Sequence, residues 1–437
     1  MKVNNTCKVP FGFIEIFENG DVYTCCKSLI KNGCIGNIFN QSFEEIFNSD
    51  KAKTIRRNCL NNDYSMCFND LCSPNKDAFA FLLNSKYVGE IEYSEEIKYP
   101  KIIKFSYDLD CNVNCKSCRE KIYRNSKEYI EELDEKARKY FLPILKYTDK
   151  VCLIGSGDPF ASKHTRNFIK MIADEYPNMK FDLHTNGLLL NERMLTELNI
   201  IDKLSYIQIS IHASTKETYD KIVLGGGWDN LMKNLEFVSN LKKQDKVENI
   251  FLFFVVSKIN LGDAKEFVNL SKKYSAECFF WNLRDWGTQY TKNEIADEYE
   301  IYKAFKDDIF GDKIVHLNPY LYNIRNNENF LEDYFIKEIN ELKDKINCYD
   351  KRLNDLNCKI DKDIKELIED KNNKLENMYK ELNDKYNNIV SVFNEIVDKL
   401  AWWIPIRKWR DWFRNKFTWK TIIAVFKNFL IIIFKRL

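Results

Sequence analysis

Three cysteines stand close together in the stretch "DLDCNVNCKSC", residues 108–118. Cys111, Cys115 and Cys118 are separated by three and then two residues, in a polar segment rich in Asn and Asp. Cysteine thiolates are the ligands of iron–sulfur clusters and of structural zinc. Three thiolates on a four-iron cluster leave one iron open to a small molecule. A zinc site would need a fourth Cys or His close by, and the neighbouring sequence offers none.

Composition points to a reducing compartment. The chain has 14 cysteines in 437 residues, and its opening "MKVNNTCKVP" lacks the basic and apolar regions of a secretory signal. In a reducing cytoplasm, cysteines are more often metal or cluster ligands than disulfides. Four isolated ones are expected to be structural thiols: Cys152, Cys278, Cys348 and Cys358. The net charge of +2 gives no chain-wide field for nucleic acid, and no nucleic-acid partner is expected.

Residues 99–290 alternate short apolar runs with longer amphipathic stretches. The six runs are "KIIKFSYD", "VCLIG", "KFDLHT", "YIQISIH", "NIFLFFVV" and "CFFWNL". Stretches such as "KHTRNFIKMIADEY" between them carry apolar residues at helical spacing. Repeated strand–helix units predict an α/β fold with a parallel sheet, as an open or partial barrel. The loops after its strands would then meet at one rim, where parallel barrels hold their chemistry.

The three-cysteine loop directly after the first of these strands resembles that of the radical S-adenosylmethionine (SAM) superfamily. The resemblance implies a partial (β/α)6 barrel core in which Cys111, Cys115 and Cys118 hold a [4Fe-4S] cluster that binds SAM. The loop "LIGSGDPF" resembles the family's glycine-glycine-glutamate-proline loop, which binds the amino group of SAM. Its counterparts here are Gly155, Ser156, Gly157, Asp158 and Pro159.

Later strand ends also resemble the family. "LHTNGLLL" would place Thr185 and Asn186 toward the ligand, and "ISIHASTKETY" carries Ser210, whose counterpart contacts the ribose. "FFVVSKIN" resembles the strand whose backbone brackets the adenine around Val256. Ser214 and Glu217 are expected to form a capping box for the next helix. No catalytic side chain is assigned, since none of the four histidines (His164, His184, His212 and His316) stands in a pattern that demands catalysis.

Two positions depart from the family pattern. Val223 stands before the run "VLGGG" where many relatives carry an arginine, so one expected contact to the SAM carboxylate is missing. Ser117 stands where an aromatic residue often precedes the third cysteine.

Residues 1–75 hold seven more cysteines and a hairpin, in which "FGFIEIF" and "DVYTCC" flank the turn "ENGD". "GDVYTCC" followed by "IGNIFNQSFEEIFNS" and "CFNDLC" resembles a SPASM or twitch domain, which carries an auxiliary [4Fe-4S] cluster. The resemblance implies the ligands Cys7, Cys25, Cys67 and Cys72. Cys26 is a rival for Cys25, because adjacent strand residues point to opposite faces. Cys34 and Cys59 are interpreted as spare thiols, and a zinc ribbon is the alternative for the whole segment.

Residues 335–400 carry a heptad-like seam with one slip at Ile364. The seam consists of Ile339, Leu342, Ile346, Tyr349, Leu353, Leu356 and Ile360, then Leu375, Met378, Leu382, Tyr386, Ile389, Phe393, Ile396 and Leu400. It predicts a coiled coil through which the chain forms a homo-oligomer. The alternative is a long helix packed back on its own domain.

Residues 401–437 form a basic, tryptophan-rich end. They contain five of the eight tryptophans, nine Lys or Arg and a single acid, Asp411. The apolar run 421–434 is short for a membrane span and is interrupted by Lys427. Interleaved aromatics and cations favour an amphipathic tail at a membrane interface, and a helix that binds a partner protein is the alternative.

The sequence therefore predicts a cytoplasmic radical SAM oxidoreductase or modifying enzyme, peripheral at the inner face of the membrane. Its expected substrate is a peptide or a sugar, with cell-surface glycan synthesis as one expected setting, and its expected reductant is a flavodoxin or ferredoxin. The auxiliary cluster would relay an electron or bind substrate. The competing hypothesis is a membrane-docked iron–sulfur scaffold or assembly protein that does not cleave SAM.

Overall fold

The computed structural model describes residues 6–402, with gaps at residue 28, 69–79, 154–156, 284–291, 327 and 368–371. The chain divides into two compact units, Met1–Phe335 and Ile336–Leu437. The first unit therefore contains both the cysteine-rich N-terminal segment and the α/β core.

A ten-stranded sheet organises the first unit. Its strands are β1 (Phe13–Phe17), β2 (Asp21–Tyr23), β3 (Cys34–Asn37), β4 (Ile102–Ser106), β6 (Lys150–Leu153), β7 (Lys180–Thr185), β8 (Leu204–Ser210), β10 (Asn249–Val256), β11 (Glu277–Asn282) and β12 (Val315–Leu317). The order across the sheet is β12-β11-β10-β8-β7-β6-β4-β1-β2-β3. The six strands β4, β6, β7, β8, β10 and β11 correspond to the six apolar runs of the sequence. Neighbouring strands among them are parallel. Two short strands, β5 (Asn114–Cys115) and β9 (Val223–Leu224), pair separately.

Helices follow most of the strands. They are α1 (Val9–Gly12), α2 (Phe43–Phe47), α3 (Asp50–Leu60), α4 (Ala80–Leu83), α5 (Lys127–Lys136), α6 (Lys163–Glu175), α7 (Glu192–Glu197), α8 (Lys216–Ile222), α9 (Trp228–Lys243), α10 (Ala264–Lys273), α11 (Glu298–Phe305) and α12 (Pro319–Asn326). A π-helical turn, Ala137–Phe141, and a 3₁₀ turn, Leu142–Tyr147, extend α5, and two further 3₁₀ turns span Leu261–Asp263 and Lys292–Glu294. The expected cap at Ser214 is wrong by one residue, because the Thr215 hydroxyl accepts from the Thr218 amide and begins α8.

One face of the sheet packs against helices. Alternate residues such as Leu183 and Phe254 are fully buried there, in one hydrophobic core with Phe168 of α6, Leu235 of α9 and Phe267 of α10. Each such side chain contributes about 1.5–3 kcal/mol by leaving water. We call this the outer face and the opposite side of the sheet the inner face.

The N-terminal segment completes the sheet. The predicted hairpin is present, with β1 and β2 antiparallel and Gly20 in its turn at a φ of 83°. β1 also pairs in parallel with β4, from Phe13 opposite Ile102 to Phe17 opposite Ser106. The cysteine-rich segment therefore extends the same sheet as the core.

A buried arginine fastens this segment internally. The Arg56 side chain on α3 is fully buried and donates hydrogen bonds to the carbonyl oxygens of Pro10, Phe47 and Glu95 and to Asn48 Oδ1. Burial lowers the pKa of Arg56 to about 10, which leaves it charged at neutral pH.

The second unit has two long helices, α13 (Glu328–Leu367) and α14 (Asn372–Trp402), which between them carry the predicted seam. Where their side chains are described, the seam residues Leu342, Ile346 and Ile389 are half-buried. Three other seam residues, Tyr349, Leu356 and Tyr386, are exposed. Association through the seam stays a prediction. The tail at 403–437 lies outside the described residues. None of the helices in the described ranges has the length and apolar character needed to cross a membrane.

Replacing Arg56 by Met should lower the free energy of unfolding by about 3 kcal/mol, because four buried acceptors lose a charged donor. Arg57→Met is the matched control, since the neighbouring Arg57 is exposed and pairs with Glu95 at 2.7 Å. Urea denaturation of both variants measures the difference. Equal effects of the two substitutions would contradict the assignment of Arg56 as the fastening residue.

Candidate functional site

The loops after β4 and β6 are joined through their backbones. The Gly157 amide donates to the Asp108 carbonyl at 2.7 Å, and the Asp158 amide donates to the Asp110 carbonyl at 2.8 Å. A Cβ atom on Gly157 would lie 2.1 Å from the Asp110 carbonyl oxygen. Only glycine allows this approach, which holds the predicted cofactor loop directly beside the predicted cysteine loop.

The three cysteines of the loop differ in exposure. Cys111 is buried, Cys115 half-buried and Cys118 exposed. Cys115 also lies in β5, which pairs with Val223 and Leu224 of β9. Burial and the neighbouring thiols raise the pKa of Cys115, and burial raises that of Cys111. These thiols therefore need a positive partner before they can ionise.

Arg119 supplies part of that positive charge. Its Nη2 donates to Cys118 Sγ at 3.4 Å and its Nη1 to the Leu109 carbonyl at 2.8 Å. Burial by itself would lower the pKa of Arg119. The nearby Cys118, Cys111 and Cys115 thiols outweigh burial and raise that pKa. The sequence analysis did not single out this residue, although its place directly after the third cysteine is a visible signal.

The donor set fits an iron–sulfur cluster. Among the residues that the structure describes, no three Cys, His, Asp or Glu side chains converge on a point where one ion would sit. A [4Fe-4S] cluster spreads its ligands over separate irons, so three mutually interacting thiols beside an arginine suit it.

The Asp158 carboxylate is fully hydrogen-bonded to groups of the protein itself. Its carboxylate accepts from the Thr185 hydroxyl at 2.7 Å and from the backbone amides of Asn186, Phe160 and Ala161 at 2.8 to 3.2 Å. These four hydrogen bonds use the four lone-pair positions of a carboxylate. Burial raises its pKa, against the effect of those hydrogen bonds. The geometry gives Asp158 a positioning task, and its predicted contact with SAM stays a prediction.

Asn186 joins a third loop to the cysteine loop. Its Nδ2 donates to Asn112 Oδ1 at 2.7 Å and lies 3.9 Å from Cys111 Sγ. The loops after β4, β6 and β7 thus meet at one edge of the sheet, as predicted for a parallel fold.

The remaining predicted SAM contacts lie at the same ends of their strands. Ser210 ends β8, Val256 ends β10, and Pro159 is buried beside Asp158. Gly155 and Ser156 lie outside the described residues. At the departure from the family pattern, the Val223 side chain is buried, at 2% exposure, so this position offers no cation to a ligand.

The predicted auxiliary ligands gather at a second place. Cys7, Cys25 and Cys67 line one small cavity in the N-terminal segment, together with Cys59. Cys72 lies outside the described residues. Cys26, the rival of Cys25, does not line this cavity and instead lies near enough to Lys104 to raise its pKa. Cys59 was interpreted as spare, and its position in the cavity depends on the packing of α3, which its spacing does not reveal.

The histidines have ordinary structural surroundings, with one exception. His164 is fully buried between the Tyr107 hydroxyl and the Asp134 carboxylate, at 2.7 and 2.6 Å. His212 Nδ1 accepts from the Val255 amide at 3.1 Å, and burial lowers its pKa to about 4. His316 pairs with Glu277. His184 is the exception, because its Nε2 is buried without a partner among the described residues.

Comparison with known families agrees with both sites. The model of the radical SAM superfamily matches residues 109–270, and the SPASM model, an iron-sulfur cluster-binding domain, matches residues 7–73. The two matched ranges contain the two cysteine groups just described.

Curated relatives are similar over part of their length. FeMo cofactor biosynthesis protein NifB of Methanocaldococcus infernus is 24% identical over 188 residues, which are 38% of this chain and 61% of the relative. The NifB protein of Methanocaldococcus jannaschii is 28% identical over 124 residues, 26% of this chain and 40% of the relative. The chain thus spans about three fifths of the length of the first relative and two fifths of the length of the second.

Comparison with solved structures finds a similarity to Streptococcus suis SuiB bound to precursor peptide SuiA. It is 13% identical, with a TM-score of 0.36, over 57% of this chain and 49% of that one. Methylornithine synthase (PylB) is 14% identical, with a TM-score of 0.31, over 46% of this chain and 60% of that one.

Substituting Gly157 by Ala should reduce iron and sulfide bound at the Cys111 loop, because the new methyl group forces the two loops apart. Gly262→Ala is the matched control, since a Cβ atom there meets nothing within 4 Å. Anaerobic reconstitution followed by iron and sulfide analysis measures the loss. Full cluster loading of Gly157→Ala would contradict the close approach.

Cys59→Ser should reduce iron bound by the N-terminal segment, because this thiol faces the cavity of Cys7, Cys25 and Cys67. Cys34→Ser is the control, since the Cys34 thiol does not line that cavity and instead lies 3.5 Å from the Gly36 carbonyl. Electron paramagnetic resonance of the reduced protein, in a Cys111→Ala/Cys115→Ala/Cys118→Ala background, isolates this signal. An unchanged signal in Cys59→Ser would show that the thiol is not a ligand.

Proposed function

We propose, from the premise that the chain belongs to the radical SAM superfamily and carries an N-terminal SPASM-type iron–sulfur domain, that it cleaves SAM reductively and abstracts a hydrogen atom from a peptide or carbohydrate substrate. Its cofactors are [4Fe-4S] clusters and SAM. The observation that carries the proposal is the three-cysteine loop held against the Gly157 loop by backbone hydrogen bonds. Held by Cys111, Cys115 and Cys118, the reduced cluster with SAM would supply the one-electron chemistry that removes hydrogen from an unactivated carbon.

In this proposal the residues of the chain bind and orient the cluster and SAM. In this proposal Cys111, Cys115 and Cys118 ligate three irons, and Arg119 balances part of the thiolate charge. Asp158 fixes the turn at Thr185 and Asn186, and Gly157 keeps the cofactor loop in place. Ser210 and Val256 end neighbouring parallel strands, where the ribose and adenine of SAM would lie.

The auxiliary site is proposed to hold a second cluster through Cys7, Cys25, Cys67 and either Cys72 or Cys59. Its tasks would be to accept an electron from a substrate radical or to bind substrate. The cavity that Cys7, Cys25, Cys59 and Cys67 line together supports the proposal.

A second function is favoured by two observations. Val223 is buried and leaves the SAM carboxylate without the expected arginine, and the curated relatives are named as cofactor biosynthesis proteins. An iron–sulfur scaffold or assembly protein that does not cleave SAM would need no such contact.

The location and partners are proposed from the sequence. The protein would act in the cytoplasm, with residues 401–437 at the inner membrane face, where glycan precursors are built. A flavodoxin or ferredoxin would reduce it, and the seam on α13 and α14 would join copies of the chain.

The decisive experiment quantifies 5′-deoxyadenosine formed anaerobically from SAM after reduction with dithionite. Reconstituted wild type should form the product, and Cys115→Ala/Cys118→Ala should form none because two iron ligands are lost. A fully loaded wild-type cluster that yields no product would overturn the enzyme proposal in favour of the scaffold.

A further inference from the structure

One side chain ties the two ends of the cysteine loop together. Arg119 Nη1 donates to the Leu109 carbonyl at 2.8 Å, and its Nη2 donates to Cys118 Sγ at 3.4 Å. Leu109 stands two residues before the first cysteine, so Arg119 joins the start of the loop to its end. A turn prepares this contact, because the Cys115 carbonyl accepts from the amides of Cys118 and Arg119 at 3.0 and 3.2 Å.

The charge of Arg119 lies inside the protein, although the thiol beside it is exposed. Arg119 is only 9% exposed, and its Cζ atom lies 5.9 Å from the centroid of the Tyr123 ring. Cys118, by contrast, is exposed. An arginine stays protonated at any physiological pH, and a buried charge is screened less by salt than a surface charge. Arg119 therefore presents a fixed and weakly screened positive charge to the Cys118 sulfur.

Two other donors near the thiols act more weakly. Asn186 Nδ2 lies 3.9 Å from Cys111 Sγ, so this contact is longer and its donor is neutral. Arg124 donates to the Cys111 carbonyl and pairs with the Asp110 carboxylate at 2.8 Å, which offsets its charge. Its side chain is also 55% exposed. Of these three donors, Arg119 is the one that brings a charge to a ligand sulfur.

A fixed positive charge at a ligand sulfur favours the reduced state of a cluster. Reduction by one electron adds one negative charge to the cluster and its thiolates, and a neighbouring cation stabilises that added charge. Net charge and hydrogen bonds to the sulfurs are among the properties that set the reduction potential of an iron–sulfur cluster. Arg119 supplies a charge and a hydrogen bond at the same sulfur.

We propose that Arg119 raises the reduction potential of the cluster held by Cys111, Cys115 and Cys118, by donating a charged hydrogen bond to the Cys118 thiolate. This inference rests on the proposed function, because it concerns the electron that enters the same site. The cluster gains one electron as the external reductant loses one, and no covalent bond changes. Arg119 acts through the Cys118 thiolate and is therefore a positioning residue.

Three substitutions separate the charge from the hydrogen bond. Arg119→Met removes both, Arg119→Gln keeps an N–H donor without the charge, and Arg119→Lys keeps the charge. In redox titrations followed by electron paramagnetic resonance, the ratio of reduced to oxidised cluster at a fixed potential should fall at least tenfold in the Met and Gln variants. For a one-electron couple, tenfold corresponds to a midpoint about 59 mV more negative. The Lys variant should stay within threefold of wild type.

The experiment has an internal and an external control. The signal of interest is the one that is missing in Cys115→Ala/Cys118→Ala, and a signal that remains there belongs to the N-terminal site. That remaining signal should keep its potential in every Arg119 variant. Arg124→Gln is the matched arginine control, since Asp110 already offsets the charge that it removes, and it should change the ratio less than threefold.

Three results would each overturn the proposal. The first is a Gln variant that stays within threefold of wild type, because the charge would then have no effect. The second is an Arg119→Lys shift as large as that of Arg119→Met. The third is an Arg124→Gln shift as large as that of Arg119→Gln, because any nearby positive charge would then act equally.

A second measurement needs no substitution at Arg119. Wild-type protein labelled with ¹⁵N-arginine should show a coupling to an arginine nitrogen in pulsed electron paramagnetic resonance of the reduced cluster, because Nη2 lies at hydrogen-bond distance from a ligand sulfur. The coupling should persist in Arg124→Gln. Its absence from the wild type would contradict the proposal even where the Arg119 variants assemble no cluster.

These measurements need neither SAM nor a substrate. Formation of 5′-deoxyadenosine after reduction with dithionite is measured separately on the same preparations. The expected shifts of potential without SAM cleavage would overturn the proposed reaction but keep the role of Arg119. SAM cleavage with an unchanged potential in the Arg119→Gln variant would do the reverse.

Discussion

The candidate site depends on one close approach, that of Gly157 to Asp110. Two backbone hydrogen bonds and the absence of a Cβ atom hold the loop after β6 against the loop that carries the cysteines. Asp158 then extends this arrangement to Thr185 and Asn186, whose side chain returns to Cys111. Hydrogen bonds therefore link the loops after β4, β6 and β7 around Cys111, which lowers the entropic cost of assembling the site.

The N-terminal segment is bound to this core through the sheet. β1 pairs with β4 along its full length, so the cysteine-rich segment and the strand before the cysteine loop belong to one sheet. Cys25 lines the cavity with Cys7 and Cys67, whereas Cys26 does not line it and lies near enough to Lys104 to raise the pKa of that lysine. The auxiliary cavity is consequently adjacent in sequence and in structure to the inner face.

The inner face of the sheet carries buried polar groups that affect the stability of the fold. Ion pairs such as Lys150 with Asp182 neutralise buried charge, although an apolar pair would serve the fold equally well. Among the described residues, Glu15 Oε2 and His184 Nε2 are buried without a hydrogen-bond partner, and each lowers the stability of the fold.

The sequence by itself determined the local features. Alternation of apolar runs and amphipathic stretches specified all six core strands and their helices, because side-chain periodicity is a local property. The spacing of Cys111, Cys115 and Cys118 and the glycine loop identified the family for the same reason. Only the tertiary structure decided which side chains meet across long separations. It placed Cys59 rather than Cys26 in the cavity, gave all the lone pairs of Asp158 to the protein itself, and brought Glu15 beside Lys104. Those outcomes depend on strand register and helix packing, which arise from contacts between residues far apart in the chain.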